Sequence, residues 1–233
     1  MRKCYFKDYR FSEDLDFTAT GPEFTLDKVL LNRIVNLTID RSEIPLHIHE
    51  LKDLLFKDVL TGFSAIIKFW GADHPRNQLP PAPHRWRSSI KLEIILFEKM
   101  IFTPEFRYIH HEYSDRLSKS ATSIPCYSIE EVLAEKLRSI IQRSYTAPRD
   151  FYDIWYLSKN VENLDWPKIV NAFHDKMEFK GLKFTGIEQL INNENDKRLL
   201  GAWKNSLGHQ VLGELADYYT IKKDLLTLLE HIL

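Results

Sequence analysis

The sequence predicts an α+β fold, in which a mixed β-sheet with helices is followed by a helical region. Two observations lead to this prediction. In the first half, residues 63–70 and 89–98 are rich in β-formers and indicate buried strands. From Ser128 onward, apolar residues recur at helical spacing. We therefore divide the chain into an α/β domain, residues 1–127, and a helical region, residues 128–233.

The first half predicts a strand, a helix and a long loop around the two β-rich runs. The strand covers residues 10–18. The cap-type residue Thr25 then opens a helix that extends to residue 41, with apolar residues at helical spacing: Leu26, Val29, Leu30, Ile34 and Leu37. Residues 46–57 fit neither the helical nor the strand period clearly. Four prolines make residues 73–87 a loop: Pro75, Pro80, Pro81 and Pro83.

The second half predicts a series of helices. Ser128 and Glu131 form the Ser-x-x-Glu capping box of a helix that extends to about Arg143. Pro148 suits the first turn of the next helix, which extends to about Leu157. Further helical segments are bounded by a Trp-Pro pair and by three glycines: Trp166, Pro167, Gly181, Gly186 and Gly208.

The composition excludes several classes of protein. A net charge of −1 over 233 residues excludes a histone-like binder of bulk polyanions. No apolar run has the length of a membrane span, and two cysteines suit a reducing compartment, so we expect a cytoplasmic protein without a membrane partner. The P-loop, the dinucleotide-binding fingerprint and the Gly-x-Ser-x-Gly elbow are all missing from the sequence.

Asp14 and Asp16 are the most informative candidates for chemistry. In an extended segment, residues two apart point to the same face, and these carboxylates would lie about 7 Å apart. Hard divalent cations prefer such oxygen ligands and can clamp the phosphates of a nucleotide. The alternative interpretation is an acidic edge strand or a turn.

Glu93 is a third candidate, because it lies within the apolar run that includes residues 90–97. Glutamate is rarely buried unless it is paired or binds a ligand. Either Glu93 shares a solvated face with Lys91, or it lies on a strand beside Asp14 and Asp16 and completes a metal site.

The capped helix and the helix after it offer cations and further acids. Lys136 and Arg143 are seven residues apart, hence on one helix face, and together with Arg149 they could bind a polyphosphate or an RNA backbone. The alternative is a solvated helix face with local ion pairs. Asp150 lies in a first helical turn, where the helix dipole alone favours it. Asp153 could hold Lys136 or Arg143 in place.

Four segments, taken in order, resemble the AbiEii/AbiGii family of nucleotidyltransferase toxins, within the polymerase-β-like superfamily. The segments are residues 10–17, 91–94, 128–143 and 149–157, and the resemblance extends over residues 2–158. It implies a nucleotidyltransferase-like mixed-sheet core followed by helices.

The resemblance also implies roles for particular residues. Asp14, Asp16 and Glu93 match the family's ligands for Mg²⁺ or Mn²⁺. Lys136 matches a lysine that contacts the NTP, and with Asp153 it joins these acids in the implied catalytic set. The implied nucleotide-binding residues are Arg10, Ser12, Lys136, Arg143 and Arg149.

The implied function is transfer of a nucleotide from an NTP to RNA, such as the 3′ end of tRNA, by the toxin of a bacterial toxin–antitoxin or abortive-infection system with a cognate antitoxin. The family's Gly-Gly-Ser or Gly-Gly-Thr turn is not found before residues 2–5, so we expect an N-terminally truncated member. A homo-oligomer could then cover the surface so exposed. A catalytically impaired binding or regulatory protein and a metal-dependent nuclease remain alternatives.

Overall fold

In the computed structural model, the chain divides into a sheet unit, residues 12–98, and a helical unit, residues 1–11 and 99–233. The structure describes residues 1–12, 14–21, 23–71, 78–110, 123–143 and 147–233. Residues 99–127 thus group with the helices, whereas the sequence analysis assigned them to the α/β domain. The end of the nucleotidyltransferase-like region at residue 127 stays a prediction, because the two units are defined by packing and not by function.

The sheet unit contains a four-stranded mixed sheet and one helix. In chain order its elements are β1 (Asp14–Thr18), α1 (Lys28–Ser42), β2 (Leu46–Phe56), β3 (Val59–Phe69) and β4 (Ser89–Ile95). The strands lie in the order β1-β4-β3-β2, with β1 parallel to β4 and the other pairs antiparallel. The predicted mixed sheet and α+β class are confirmed.

Helix α1 begins later than predicted. Its N-cap is Asp27 and not Thr25, because the Asp27 carboxylate accepts a hydrogen bond from the backbone N–H of Leu30 at 2.7 Å. Leu31 and Val35, four residues apart, form its buried stripe. They belong to the core of the sheet unit, with Leu26, Phe63, Ala65 and Ile94.

The segment that fitted no clear pattern is the edge strand β2. A register shift between Ile48 and Glu50 interrupts the two-residue alternation that identifies a strand. Its turn into β3 uses Lys57 and Asp58, both at positive φ, in place of the Asn-Gly or Asp-Gly pair that usually marks such a hairpin. These two features explain why the period was ambiguous in the sequence.

Strand β3 begins at Val59 and continues through Gly62, four residues before the predicted start at residue 63. A Cβ atom at this position would lie 2.5 Å from the backbone oxygen of Ile94 on β4. Glycine therefore permits the close approach of the two strands and does not end one of them.

The helical unit contains five helices and a two-stranded sheet among its described residues: β5 (Glu105–Tyr108), β6 (Ser123–Cys126), α2 (Ile129–Gln142), α3 (Pro148–Asn160), α4 (Trp166–Phe179), α5 (Asn193–Leu207) and α6 (Tyr218–Ile232). The predicted starts at Pro148 and Trp166 are confirmed. Strands β5 and β6 were not predicted, since each has four residues and Pro125 interrupts the strand signal of β6.

Helix α2 is fixed by its cap and by a buried ion pair. Ser128 Oγ accepts a hydrogen bond from the Glu131 N–H at 3.1 Å, which confirms half of the predicted capping box. The Glu131 carboxylate is used elsewhere: it accepts from the backbone N–H groups of Ile101 and Phe102 and pairs with the fully buried Lys176 at 2.6 Å. The glutamate therefore ties residues 101–102 and α4 to α2.

Part of the predicted loop, residues 73–77, lies outside the described residues. No helix in the described part of the chain is both long and apolar enough to cross a bilayer.

Candidate functional site

The carboxylate face of the sheet unit consists of Asp14, Asp16, Lys91 and Glu93 on β1 and β4. The parallel pairing places Asp14 beside Lys91 and Asp16 beside Glu93. Side chains of in-register neighbours point to the same face of a sheet, so all four residues share one face. The expectation that Glu93 lies on the strand next to the two aspartates is confirmed.

Lys91 and Glu93 form an ion pair on this face. Lys91 Nζ lies 2.7 Å from Glu93 Oε1, and the two side chains are 47% and 30% exposed. The hydrogen bond to Glu93 raises the pKa of Lys91, and the charges of Asp14 and Asp16 raise it further. The ammonium therefore lies within the field of three carboxylates, and the face is solvated.

The carboxylate face suits a divalent cation in the chemistry of its donors. Asp14, Asp16 and Glu93 supply the hard oxygen ligands that Mg²⁺ and Mn²⁺ prefer. Within the described ranges, however, no three His, Cys, Asp or Glu side chains converge as a ready group of metal ligands. The donors share a face, and Glu93 is engaged by Lys91.

Ser12 lies just before this face. It is exposed, and its hydroxyl donates to the backbone oxygen of Asp14 at 3.2 Å, a local contact at the start of β1. Its predicted role in nucleotide binding stays a prediction.

The second group of candidates forms an ionic cluster in the helical unit: Arg10, Lys136, Arg143, Asp150 and Asp153. Arg10 donates two hydrogen bonds to the Asp153 carboxylate, from Nε and Nη2, each 2.6 Å long. Lys136 Nζ lies 2.8 Å from Asp153 Oδ2. The Asp153 side chain is 1% exposed, so these two cations account for its burial as a charged group.

Asp150 is held in the same way by two other contacts. Lys136 Nζ donates to its Oδ1 at 2.7 Å, and Arg143 Nη1 donates to its Oδ2. Asp150 is also buried. The helix dipole alone was thus an insufficient explanation, because a buried carboxylate requires the ion pairs that Lys136 and Arg143 provide.

Among the described residues, the ionic cluster contains two carboxylates and three cations. Of the cations, Lys136 is 23% exposed and Arg143 is 37% exposed. Burial would raise the pKa of Asp153, but the Lys136 charge and the Arg10 hydrogen bonds outweigh it, so the pKa of Asp153 lies far below its usual value. Burial likewise opposes the charge on Lys136, yet the two aspartates hold its pKa above the usual value.

Arg149 does not join these pairs. It is half-buried in the first turn of α3, and among the described residues its guanidinium makes no ion pair with Asp150 or Asp153. The predicted cationic group is therefore reduced to Lys136 on α2 and Arg143 at the C-terminal cap of that helix.

The pairing of Arg10 with Asp153 is the contact that the sequence did not indicate. The two residues are 143 positions apart, and Gln210, still farther along the chain, accepts from Arg10 Nη1 at 3.3 Å. No local period or spacing links such residues. The sequence offered one sign: Asp153 lies between apolar and aromatic residues on α3, which indicates that its carboxylate is buried and needs a partner.

Comparison with known proteins gives one family. The family model described as "Nucleotidyl transferase AbiEii toxin, Type IV TA system" matches residues 1–230. None of the curated proteins compared matches the sequence.

The solved structures that are similar to the chain include the following two. MenT4, a nucleotidyltransferase toxin from Mycobacterium tuberculosis H37Rv, is 15% identical with a TM-score of 0.59, over 95% of this chain and 68% of that one. JHP933 from Helicobacter pylori is 17% identical with a TM-score of 0.49, over 97% of this chain and 78% of that one. The likeness to MenT4 shows a shared fold.

Proposed function

We propose a function from one established premise: the chain belongs to the AbiEii family of nucleotidyltransferase toxins of type IV toxin–antitoxin systems. In this proposal, it transfers a nucleotide from an NTP to RNA in a reaction that requires Mg²⁺ or Mn²⁺. The acceptor is the 3′ end of an RNA such as tRNA. The observation that carries the proposal is the in-register placement of Asp16 beside Glu93, with Asp14 on the same face. A cognate antitoxin and a cytoplasmic setting belong to the same proposal.

The carboxylate face is the metal-binding part of this proposal. Asp14, Asp16 and Glu93 hold the divalent cation through their carboxylate oxygens. When bound, the cation neutralises charge on the phosphates and favours displacement of pyrophosphate. These carboxylates are accessible for that role, because Asp16 is exposed and Asp14 and Glu93 are half-buried.

The ionic cluster is the phosphate-binding part. Lys136 and Arg143 are its partly exposed cations and bind the triphosphate. Asp153 and Arg10 act as positioning residues. Asp153 holds Lys136 on one side and Arg10 on the other, and its buried oxygens are occupied by these contacts. We therefore assign to Asp153 the orientation of Lys136 and not contact with the substrate.

A transfer assay tests the proposal. The protein is incubated with MgCl₂, each α-labelled NTP in turn and total tRNA, and labelled RNA is resolved on a denaturing gel. We expect label on RNA from the wild-type protein and no detectable label from Asp16→Asn. Asp53→Asn is the matched control, because Asp53 is an exposed aspartate on β2 of the same sheet unit, away from the carboxylate face. It should retain wild-type transfer.

Two results would contradict the proposal. Absence of label with every NTP, using protein shown to be folded, would exclude nucleotide transfer to tRNA. Shortening of the RNA without NTP, lost in the Asp16→Asn variant, would instead identify a metal-dependent nuclease.

A further inference from the structure

We propose that Lys91 is an internal counter-ion of the carboxylate face, whose ammonium takes the place of a cation in the metal-free protein and is displaced when a divalent cation binds. The inference rests on the proposed metal-dependent function, and it adds a residue that regulates how tightly the metal is held.

The position of Lys91 carries the first step of the argument. Its Cα is paired with that of Asp14, and its Nζ lies 2.7 Å from Glu93 Oε1. Strands β1 and β4 contain no other basic residue, as their sequences show. The only ammonium that these two strands contribute therefore lies among the carboxylates that a metal would need.

The geometry of the acids carries the second step. Asp14, Asp16 and Glu93 share a face, yet in the described part of the chain they do not form a converged group of metal ligands. One Glu93 oxygen is directed to Lys91 instead. A divalent cation that engages Glu93 must compete with that contact.

The balance of charge carries the third step. Three carboxylates and one ammonium share this face, so the lysine offsets only part of the charge of these acids. Both members of the Lys91–Glu93 pair are partly exposed, and exposed pairs are weak, so a divalent cation can displace the ammonium. Loss of the lysine should remove both the competition and the repulsion between like charges.

A binding measurement tests the inference without reference to activity. Mn²⁺ affinity is measured by isothermal titration calorimetry on the full chain, without nucleotide, for wild type, Lys91→Met and Lys91→Arg. We expect Lys91→Met to bind Mn²⁺ about fivefold tighter than wild type, from the loss of one exposed pair and its charge. Lys91→Arg keeps a cation and should bind no tighter than wild type.

Lys52→Met is the matched control. Lys52 pairs with Glu50 at 2.8 Å on β2, in the same sheet but two strands from Glu93, and it is 63% exposed. The substitution removes the same charge about 10 Å from Glu93, where salt screens most of the effect. Mn²⁺ affinity should change by less than about twofold.

The outcomes separate the two proposals. Wild type that binds Mn²⁺, with equal or weaker binding by Lys91→Met, would overturn the role of Lys91 and leave the metal site intact. Wild type that binds no Mn²⁺ would overturn the metal site and the inference together. If circular dichroism shows that Lys91→Met is unfolded, Lys91→Gln takes its place with the same expectation.

Discussion

The carboxylates of the sheet unit and those of the helical unit differ in how far they are exposed to solvent. On the carboxylate face, Asp16 is exposed and Glu93 shares a single oxygen with one lysine. In the ionic cluster, Asp150 and Asp153 are buried, and both oxygens of each accept from cations. The proposed function therefore assigns carboxylates to a ligand in the sheet unit and to the protein itself in the helical unit.

The difference follows from burial and from the number of cations. A buried carboxylate is stable only when cations and hydrogen bonds replace water, and once they do, its lone pairs are occupied. An exposed carboxylate keeps its hydration, which a metal ion can replace. Substitutions in the two groups should therefore separate, with activity lost in the first and stability lost in the second.

The substitution Asp14→Asn is expected to have the largest effect, which is on nucleotide transfer. In the proposed metal-dependent reaction, loss of this carboxylate should lower kcat/KM about 10³-fold, because a bound metal would contribute several kcal/mol to stabilising the transition state. The free energy of unfolding should stay within about 0.5 kcal/mol of wild type, since substitutions of this kind outside the core cost little. Steady-state kinetics measures kcat/KM, and urea unfolding of the same protein measures the free energy of unfolding. A matching loss of stability would make Asp14 a structural residue and remove the contrast.

The opposite pattern is expected for Asp153→Asn. The change leaves Arg10 and Lys136 without one of their carboxylates and should lower the free energy of unfolding by about 3 kcal/mol. Urea unfolding at neutral pH measures it. Asp175→Asn is the control, because Asp175 is half exposed and lies 3.8 Å from its lysine partner. It should cost less than about 0.5 kcal/mol. Equal stability of the two variants would show that the buried pairs are not needed.

The low pKa of Asp153 adds a pH dependence to that prediction. Its folded pKa lies below the unfolded value of about 3.9, so the unfolded state binds more protons and stability is lost as pH falls. The stabilising effect of Asp153 is complete above about pH 5 and is lost progressively below it. The difference in unfolding free energy between wild type and Asp153→Asn should therefore shrink from about pH 5 to about pH 3. A constant difference across this range would contradict the assigned pKa shift.

Lys136→Met should remove one positive charge from the ionic cluster and leave its other ion pairs in place. Without Lys136, Arg10 still pairs with Asp153 and Arg143 with Asp150, so each carboxylate keeps one cation. We expect KM for the NTP to rise about tenfold, equivalent to about 1.4 kcal/mol of binding, with a smaller loss of stability than in Asp153→Asn. Lys159→Met, on an exposed lysine paired with Asp224 at 3.0 Å, is the control and should leave KM unchanged. An unchanged KM in Lys136→Met would exclude triphosphate binding by this lysine.

The sequence predicted the carboxylate face better than it predicted the ionic cluster, for a physical reason. Asp14 and Asp16 are two residues apart, and the period of a strand alone places them on one face. Glu93 was found because a charge within an apolar strand needs an explanation. Such signals are local. The Arg10–Asp153 pair depends on how residues 143 positions apart pack together, which no local period encodes.

The same distinction explains the fold predictions. The starts of α3 and α4 followed from prolines that fix the backbone of a first helical turn. Strand β2 was missed because the irregularity after Ile48 shifts its alternation, and only pairing with β3 reveals the register. Glu131 fitted a capping box by spacing, but its carboxylate pairs with Lys176, 45 positions later in the chain.

The smallest expected effect tests whether the position of Lys136 depends on the cap of α2 or on its packing. Ser128→Ala removes the hydrogen bond to the Glu131 N–H and should lower the free energy of unfolding by about 1 kcal/mol. Because Leu133 and Leu137 are fully buried, the folded helix should keep its place, and KM for the NTP should stay at the wild-type value. Ser139→Ala, within the same helix, is the matched control. It loses a long 3.5 Å hydrogen bond to Glu135 but gains the higher helix propensity of alanine, so stability should change by less than about 0.5 kcal/mol. A rise in KM for Ser128→Ala, but not for Ser139→Ala, would mean that the cap itself orients Lys136. In that case, α2 would not divide into residues that stabilise the protein and residues that bind the substrate.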